Sequence, residues 1–176
     1  MRIVGGKYKG RIFSPGKSFK SRPTTDIAKE SLFNILENRY DFGGKTMLDL
    51  FAGTGSIGYE FLSRGCSEVV FVEKDFVHHR FIADVLKTLK TENAKAFKAD
   101  AFQFMMRYQG SFDFIFADPP YDFKQFTEVP EAVFNSTLLK TGGLFIIEHP
   151  KEFDFSTHRR FTENRKYGKV NFSFFE

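Results

Sequence analysis

Residues 49–60 read DLFAGTGSIGYE, and this stretch decides the fold. Gly53, Gly55 and Gly58 form G-x-G-x-x-G between an apolar run ending at Phe51 and the amphipathic segment SIGYEFLSRG. A glycine loop in that setting predicts a strand, a tight turn and a helix whose N-terminus points at a ligand. Asp49, Phe51, Ala52, Gly53, Thr54, Gly55 and Gly58 are thus the first candidate ligand contacts. Alone, the loop suits NAD as well as any other nucleoside.

Working outward, short apolar runs alternate with longer amphipathic ones, the pattern of βαβ units. The expected strands are TMLDLF (46–51), EVVFVE (68–73), AKAFKA (94–99), FDFIFAD (112–118) and GLFIIEH (143–149), all read as buried on both faces. Helices are expected at SIGYEFLSRG, DFVHHRFIADVLKTLK and FTEVPEAVFNSTLL. The tail RRFTENRKYGKVNFSFFE reads as two strands turning at Tyr167-Gly168, an antiparallel pair at one edge of a mostly parallel α/β sheet. Before the first strand, Thr25 or Asp26 caps a helix IAKESLFNILENRY that stops at Gly43-Gly44. The first 13 residues read as a small hairpin around Gly5-Gly6.

A chain of 176 residues suits one domain, and 41% hydrophobic with 27% charged residues is ordinary globular usage. No apolar run reaches bilayer length, and the basic start MRIVGGKYKGR has no apolar stretch behind it, so the chain is expected neither to span a membrane nor to be exported. The single cysteine, Cys66, makes neither a disulfide nor a zinc site and fits a reducing cytoplasm. Phe is 25 residues and Trp is absent, a bias with no functional reading.

The net charge of +4 is uneven. Arg2, Lys7, Lys9, Arg11, Lys17, Lys20 and Arg22 precede the first acid, and the remainder is net acidic. Residues 1–24, with Thr24, are therefore expected to form a basic arm for a polyanion, and residues 25–176 the catalytic domain.

Three carboxylates end three successive strands. Asp49 is placed for the amino-acid part of a cofactor, Glu73 with Lys74 for two ribose hydroxyls, and Asp100 with Ala101 for an adenine amine. Any one of them alone reads equally as a cap or turn acid. The sharpest signal is Asp118-Pro119-Pro120-Tyr121 after the fourth strand. Two prolines remove two N–H donors, so acceptors face the site without competing donors, which suits an exocyclic amine. Tyr121 offers a face on which a base stacks. His78 and His79 diverge on a helix, His158 stands alone, and His149 reads as a structural histidine. No metal-ligand spacing is present in the sequence.

With DLFAGTGSIG, Glu73, Asp100 and DPPY in place, the sequence resembles the S-adenosylmethionine-dependent amino methyltransferases. RIVGGKYKGR, then RPTTD before a helix ending LFNIL, then FDFIFADPPY, EHP and a late KYG are similar to the bacterial enzymes that methylate guanine N2 in 16S ribosomal RNA, the guanine 966 type. The narrowest segment is Arg22 to Asp26. Ile27 and Lys29 stand where relatives often carry Arg or another base, and Val85 where Asn is common. The resemblance implies a Rossmann-like methyltransferase fold with a seven-stranded sheet and S-adenosylmethionine as cofactor. It also implies 16S rRNA or a small-subunit particle as partner, no metal, no membrane, and a monomer. Three other readings share features: an amino methyltransferase for adenine N6 or cytosine N4 of DNA or RNA, an NAD-dependent oxidoreductase, and a non-catalytic ribosome-assembly protein.

Overall fold

Apolar runs of five or six residues, separated by helices, must pair in parallel, because each crossover returns the chain to the same end of the sheet. The computed structural model describes residues 1–16 and 25–176. Its elements run α1 (Asp26–Arg39), β1 (Thr46–Leu50), α2 (Ser56–Ser63), β2 (Glu68–Glu73), α3 (Phe76–Leu89), β3 (Ala94–Lys98), α4 (Ala101–Arg107), β4 (Phe112–Ala117), a 3-10 turn (Phe126–Glu128), α5 (Val129–Asn135), β5 (Leu139–His149), β6 (Phe161–Tyr167) and β7 (Val170–Phe175). The sheet order is β3-β2-β1-β4-β5-β7-β6. The first five strands are parallel, and β7 runs antiparallel to both β5 and β6. Strand order reverses between β1 and β4, which opens a crevice at their carboxyl ends.

Alternation along each strand feeds two apolar layers. Met47, Phe114, Phe116 and Ile146 face α1, α2 and α3, whereas Leu48, Val70, Ile115 and Phe145 face α4 and α5. Phenylalanine does much of the filling. Phe61 meets Phe33 edge-on at 5.1 Å and Phe114 at 5.2 Å in one layer, and Phe145 meets Phe175 at 5.2 Å in the other. The Phe-rich composition thus has a packing reason.

The structure corrects several expectations. β3 is not buried on both faces: it has one neighbour, sits at the sheet edge and is largely accessible. α4 was not foreseen, because its seven residues are too few to show periodicity. β5 starts at Leu139, ahead of the expected Gly143, and carries a register shift against β4. The segment FTEVPEAVFNSTLL holds a 3-10 turn and a seven-residue helix instead of one helix. The β6–β7 turn is Gly168-Lys169, with Gly168 at φ 63°. The N-terminal hairpin turns over residues 5–10 rather than at Gly5-Gly6, and it is reduced to one bridge, Arg2 with Ile12. Lys17, Lys20, Arg22 and Thr24 lie outside the described residues.

Residues 1–13 pack as part of the domain. Ile3 and Tyr8 are buried, and the Lys7 and Tyr8 amides donate to Ser63 at 2.8 and 2.9 Å. The Glu60 carboxylate, fully buried on α2, accepts from the Val4 amide at 2.7 Å. It also pairs with Lys29 at 3.3 Å and with the Arg64 guanidinium. Lys29 in turn donates to the Arg2 carbonyl at 2.5 Å and to Ser56 Oγ at 3.2 Å. One carboxylate thereby joins the arm, α1 and α2. Removing one partner of a buried ion pair strands the other charge, so Glu60→Ala should cost about 3–5 kcal/mol in chemical denaturation. A loss under about 1 kcal/mol would mean that the cluster is not what fixes the arm.

Candidate active site

The carboxyl ends of β1, β2, β4 and β5 open into one cleft of about 1960 Å³. Its floor comes from the loop after β1. Phe51 takes a left-handed conformation at φ 59°, a strained state for a residue with a side chain, and Gly53 and Gly55 follow at φ 55° and 76°. Gly55 caps α2 with no side-chain bond, and of the first-turn amides that of Gly58 is held by the Asp49 carboxylate. Gly58 serves a different end. A Cβ there would lie 2.2 Å from the buried Phe71 ring, so glycine is required for α2 to settle on β2.

Asp49, Phe51, Ala52, Gly53, Thr54, Glu73, Lys74, Asp100, Ala101, Asp118, Pro119, Pro120 and Tyr121 all line the cleft, whereas Gly55 and Gly58 shape it from behind. Asp49 is nearly inaccessible and accepts from the Gly58 amide at 2.9 Å, tying the helix to the strand. Burial pushes its carboxyl up to about 8 despite that bond, and the Glu73 charge adds to the effect. Glu73 accepts from the Gly53 and Asp75 amides, both at 2.7 Å, and so braces the loop from β2. Asp100 caps α4 through the Phe102 and Gln103 amides, with Lys74 3.4 Å from its other oxygen. The cap reading therefore holds for one oxygen of Asp100, and the second faces the cleft's lysine.

After β4 the chain turns through Pro119 and Pro120, and the Phe123 amide closes the turn on the Pro120 carbonyl at 2.8 Å. Phe123 meets Phe51 at 5.3 Å, joining this turn to the glycine loop. Asp118 is partly accessible from the cleft. Burial, followed by the charges of Glu148 and Asp49, holds its carboxyl well above the usual range. Tyr121 is 56% exposed, with a phenol pushed up by burial and then by Glu148, Asp118 and Glu152.

Sequence reading missed Glu148. It lies 3% exposed at the end of β5 and lines the same cleft as Asp118. The available signal was a lone acid in the otherwise apolar GLFIIEH. The β6–β7 turn also lines the cleft, through Lys166 to Val170, and brings two lysines to its rim. Arg2, Lys7, Lys9 and Arg11 do not line it. Arg2 pairs with Asp26 at 3.2 Å, and Lys7 and Arg11 lie over the Tyr8 ring. His149 is structural: Nδ1 meets the Pro150 carbonyl at 2.9 Å and Nε2 meets Ser173 Oγ at 2.8 Å. Among the described residues no cluster fit for a metal ion occurs. No described helix is long and apolar enough to cross a membrane.

This sheet, with its glycine loop and strand-end acids, defines a Rossmann-like α/β fold of the methyltransferase class. The chain belongs to the family described as Conserved hypothetical protein 95, whose model matches residues 1–176. It is 32% identical over 166 residues to Ribosomal RNA small subunit methyltransferase D of Haemophilus influenzae, covering 92% of this chain and 85% of that protein. Over 158 residues it is 35% identical to YlbH of Bacillus subtilis, a candidate rRNA methyltransferase, covering 88% and 85%. The solved structure of yhhF from Escherichia coli, a candidate methyltransferase, superposes with a TM-score of 0.87 at 26% identity, covering 99% and 96%.

The buried acids set a pH test. Asp49 with a carboxyl near 8 is mostly protonated at neutral pH, so a cation seated beside it must displace that proton. Between pH 6 and 7.5 an α-ammonium group stays largely charged while the ionised share of Asp49 grows. Affinity for S-adenosylmethionine should therefore rise with pH by about tenfold or more across that window, with proton release in calorimetry. A flat profile would remove Asp49 from contact with the ligand's charge.

Proposed function

We propose that this chain transfers a methyl group from S-adenosylmethionine to the exocyclic N2 of a guanine in 16S rRNA of the small ribosomal subunit. The relatives named as rRNA methyltransferases support rRNA methylation, and the position, guanine 966, is taken from the family resemblance. The observation that carries the reading is the meeting of two groups in one cleft: strand-end acids on a glycine loop, and a proline-fixed turn rich in acceptors.

The residues present fit the cofactor. Asp49, buried and acted on by the Glu73 charge, disfavours further negative charge beside it, which suits a cationic ligand. Glu73 would hold the ribose, Asp49 and the Gly53-Thr54 loop the amino-acid part, and Asp100 with Ala101 the adenine. When bound, S-adenosylmethionine supplies a methyl on a cationic sulfur that is already electrophilic. The chain's own task is to position the amine in line with that methyl and exclude competing water.

Asp118 and the Pro119 carbonyl accept the two amine hydrogens and return electron density to a nitrogen otherwise delocalised into the ring. As the new N–C bond forms and the methyl's bond to sulfur breaks, Asp118 in its ionised form takes the amine's surplus proton, which its burial favours keeping. Tyr121, exposed at the cleft mouth, stacks an unpaired base. The arm contributes phosphate contacts through the exposed Lys7, Lys9 and Arg11.

Labelled S-adenosylmethionine incubated with unmodified small subunits or rRNA, followed by nucleoside analysis, tests the reading. N2-methylguanosine is expected. N6-methyladenosine or N4-methylcytidine would overturn the guanine assignment and support the other amino methyltransferase reading. Asp118→Ala should bind S-adenosylmethionine normally yet slow single-turnover methylation by about 10²–10³; an unchanged rate would remove Asp118 from the reaction. For the arm, the triple variant Lys7→Ala, Lys9→Ala, Arg11→Ala avoids the loss of Glu60's partners that deletion would cause. It should flatten the slope of log RNA affinity against log salt by about 2–3. S-adenosylmethionine affinity should stay within about twofold. An unchanged slope would place the phosphate contacts elsewhere.

A further inference from the structure

We infer that Glu148 reads the edge of the target base, accepting the N1–H of guanine while Asp118 and the Pro119 carbonyl hold the N2 amine. The inference rests on the guanine reading above and deepens it. β4 and β5 are parallel neighbours, with Ala117 opposite Ile147, so the next residues in register are Asp118 and Glu148. Neighbours in register project to the same face of a sheet, and both residues line the cleft. Tyr121, three residues beyond Asp118, lines it too. A base stacked on Tyr121 with its amine at Asp118 is within reach of turning its N1 edge toward the next strand, where Glu148 stands one residue before the end of β5. That Glu148 acts electrostatically on both Asp118 and the Tyr121 phenol agrees with this placement.

The chemistry then selects the base. Guanine shows two neighbouring donors, N1–H and N2–H₂, to a pair of carboxylates. Adenine and cytosine show an amine beside a bare ring nitrogen, whose lone pair would face the Glu148 carboxylate. Two acceptors facing each other across a short gap repel, which disfavours the wrong base more strongly than a poor fit does. Proline at positions 119 and 120 holds the first acceptor set. Glu148 adds the second, and that second acceptor separates guanine from the other two amines.

The test uses 2-aminopurine, which keeps the C2 amine but lacks the N1 proton. Small subunits are reconstituted with 16S rRNA carrying guanine or 2-aminopurine at the nucleotide found by nucleoside analysis. The wild-type protein should methylate guanine about 10²-fold faster or more, in kcat/KM. Glu148→Gln offers an amide that can donate to a bare nitrogen, and it should bring the two substrates within about tenfold. Its far-UV circular dichroism and cooperative thermal unfolding report that the variant is folded. Equal wild-type rates on the two bases would overturn the inference without any variant. A Glu148→Gln protein that slows both bases alike and keeps the preference would assign Glu148 to cofactor charge instead. If no N2-methylguanosine forms with unmodified RNA, the guanine reading itself fails, an outcome distinct from loss of the Glu148 assignment.

Discussion

The bond from the Gly58 amide to the Asp49 carboxylate, 2.9 Å long and sealed from water, fixes where everything else in the cleft lies. It pins the first turn of α2 to the end of β1, so the glycine loop has one shape rather than several. Glu73 repeats the device from β2, holding the Gly53 and Asp75 amides. The loop is thus suspended between two carboxylates. Burying acids together carries a cost, visible in the raised carboxyls of Asp49 and Asp118. That cost is borne by the ligand-free fold and is relieved by positive charge, so the same residues that define the loop also define what it prefers to hold.

Much of the fold was legible because parallel strands buried on both faces are rich in apolar residues, as residues 47–48, 69–72 and 114–117 of β1, β2 and β4 are. β3 misled because AKAFKA mixes lysine with apolar residues, as suits an edge whose outer side meets solvent. α4 escaped notice because it owes its place to the Asp100 cap and to Phe104 and Met105 packing, neither of which periodicity records over seven residues. The Glu60 cluster was illegible for another reason. Arg64 lies one turn along from Glu60, but Val4 and Lys29 come from the arm and from α1, Val4 being 56 residues away. Those two contacts join residues far apart in the chain by geometry, and local pattern carries no trace of them.

The cleft gathers residues with motif spacing together with Glu148, which has none. Gly53, Asp118 and Tyr121 announce themselves through glycines and prolines. Glu148 is an acid at a strand end, and its meaning comes only from the register that sets β5 beside β4. The glycines also divide in role more sharply than the motif suggests, since Gly58 answers to the Phe71 ring and not to the cleft.

The Gly168-Lys169 turn gives the cleft an unusual division of origin. One wall comes from β1, β2 and their loops, and the opposite wall from a hairpin that follows the parallel sheet in chain order. β6 and β7 pair only with each other and with β5, so changes in their turn leave the register of β1, β2 and β3 untouched. Such an arrangement lets inheritance retune one wall while the other is conserved. A lineage can alter what is presented across the cleft by drift in a surface hairpin, without disturbing the pairing of the parallel strands.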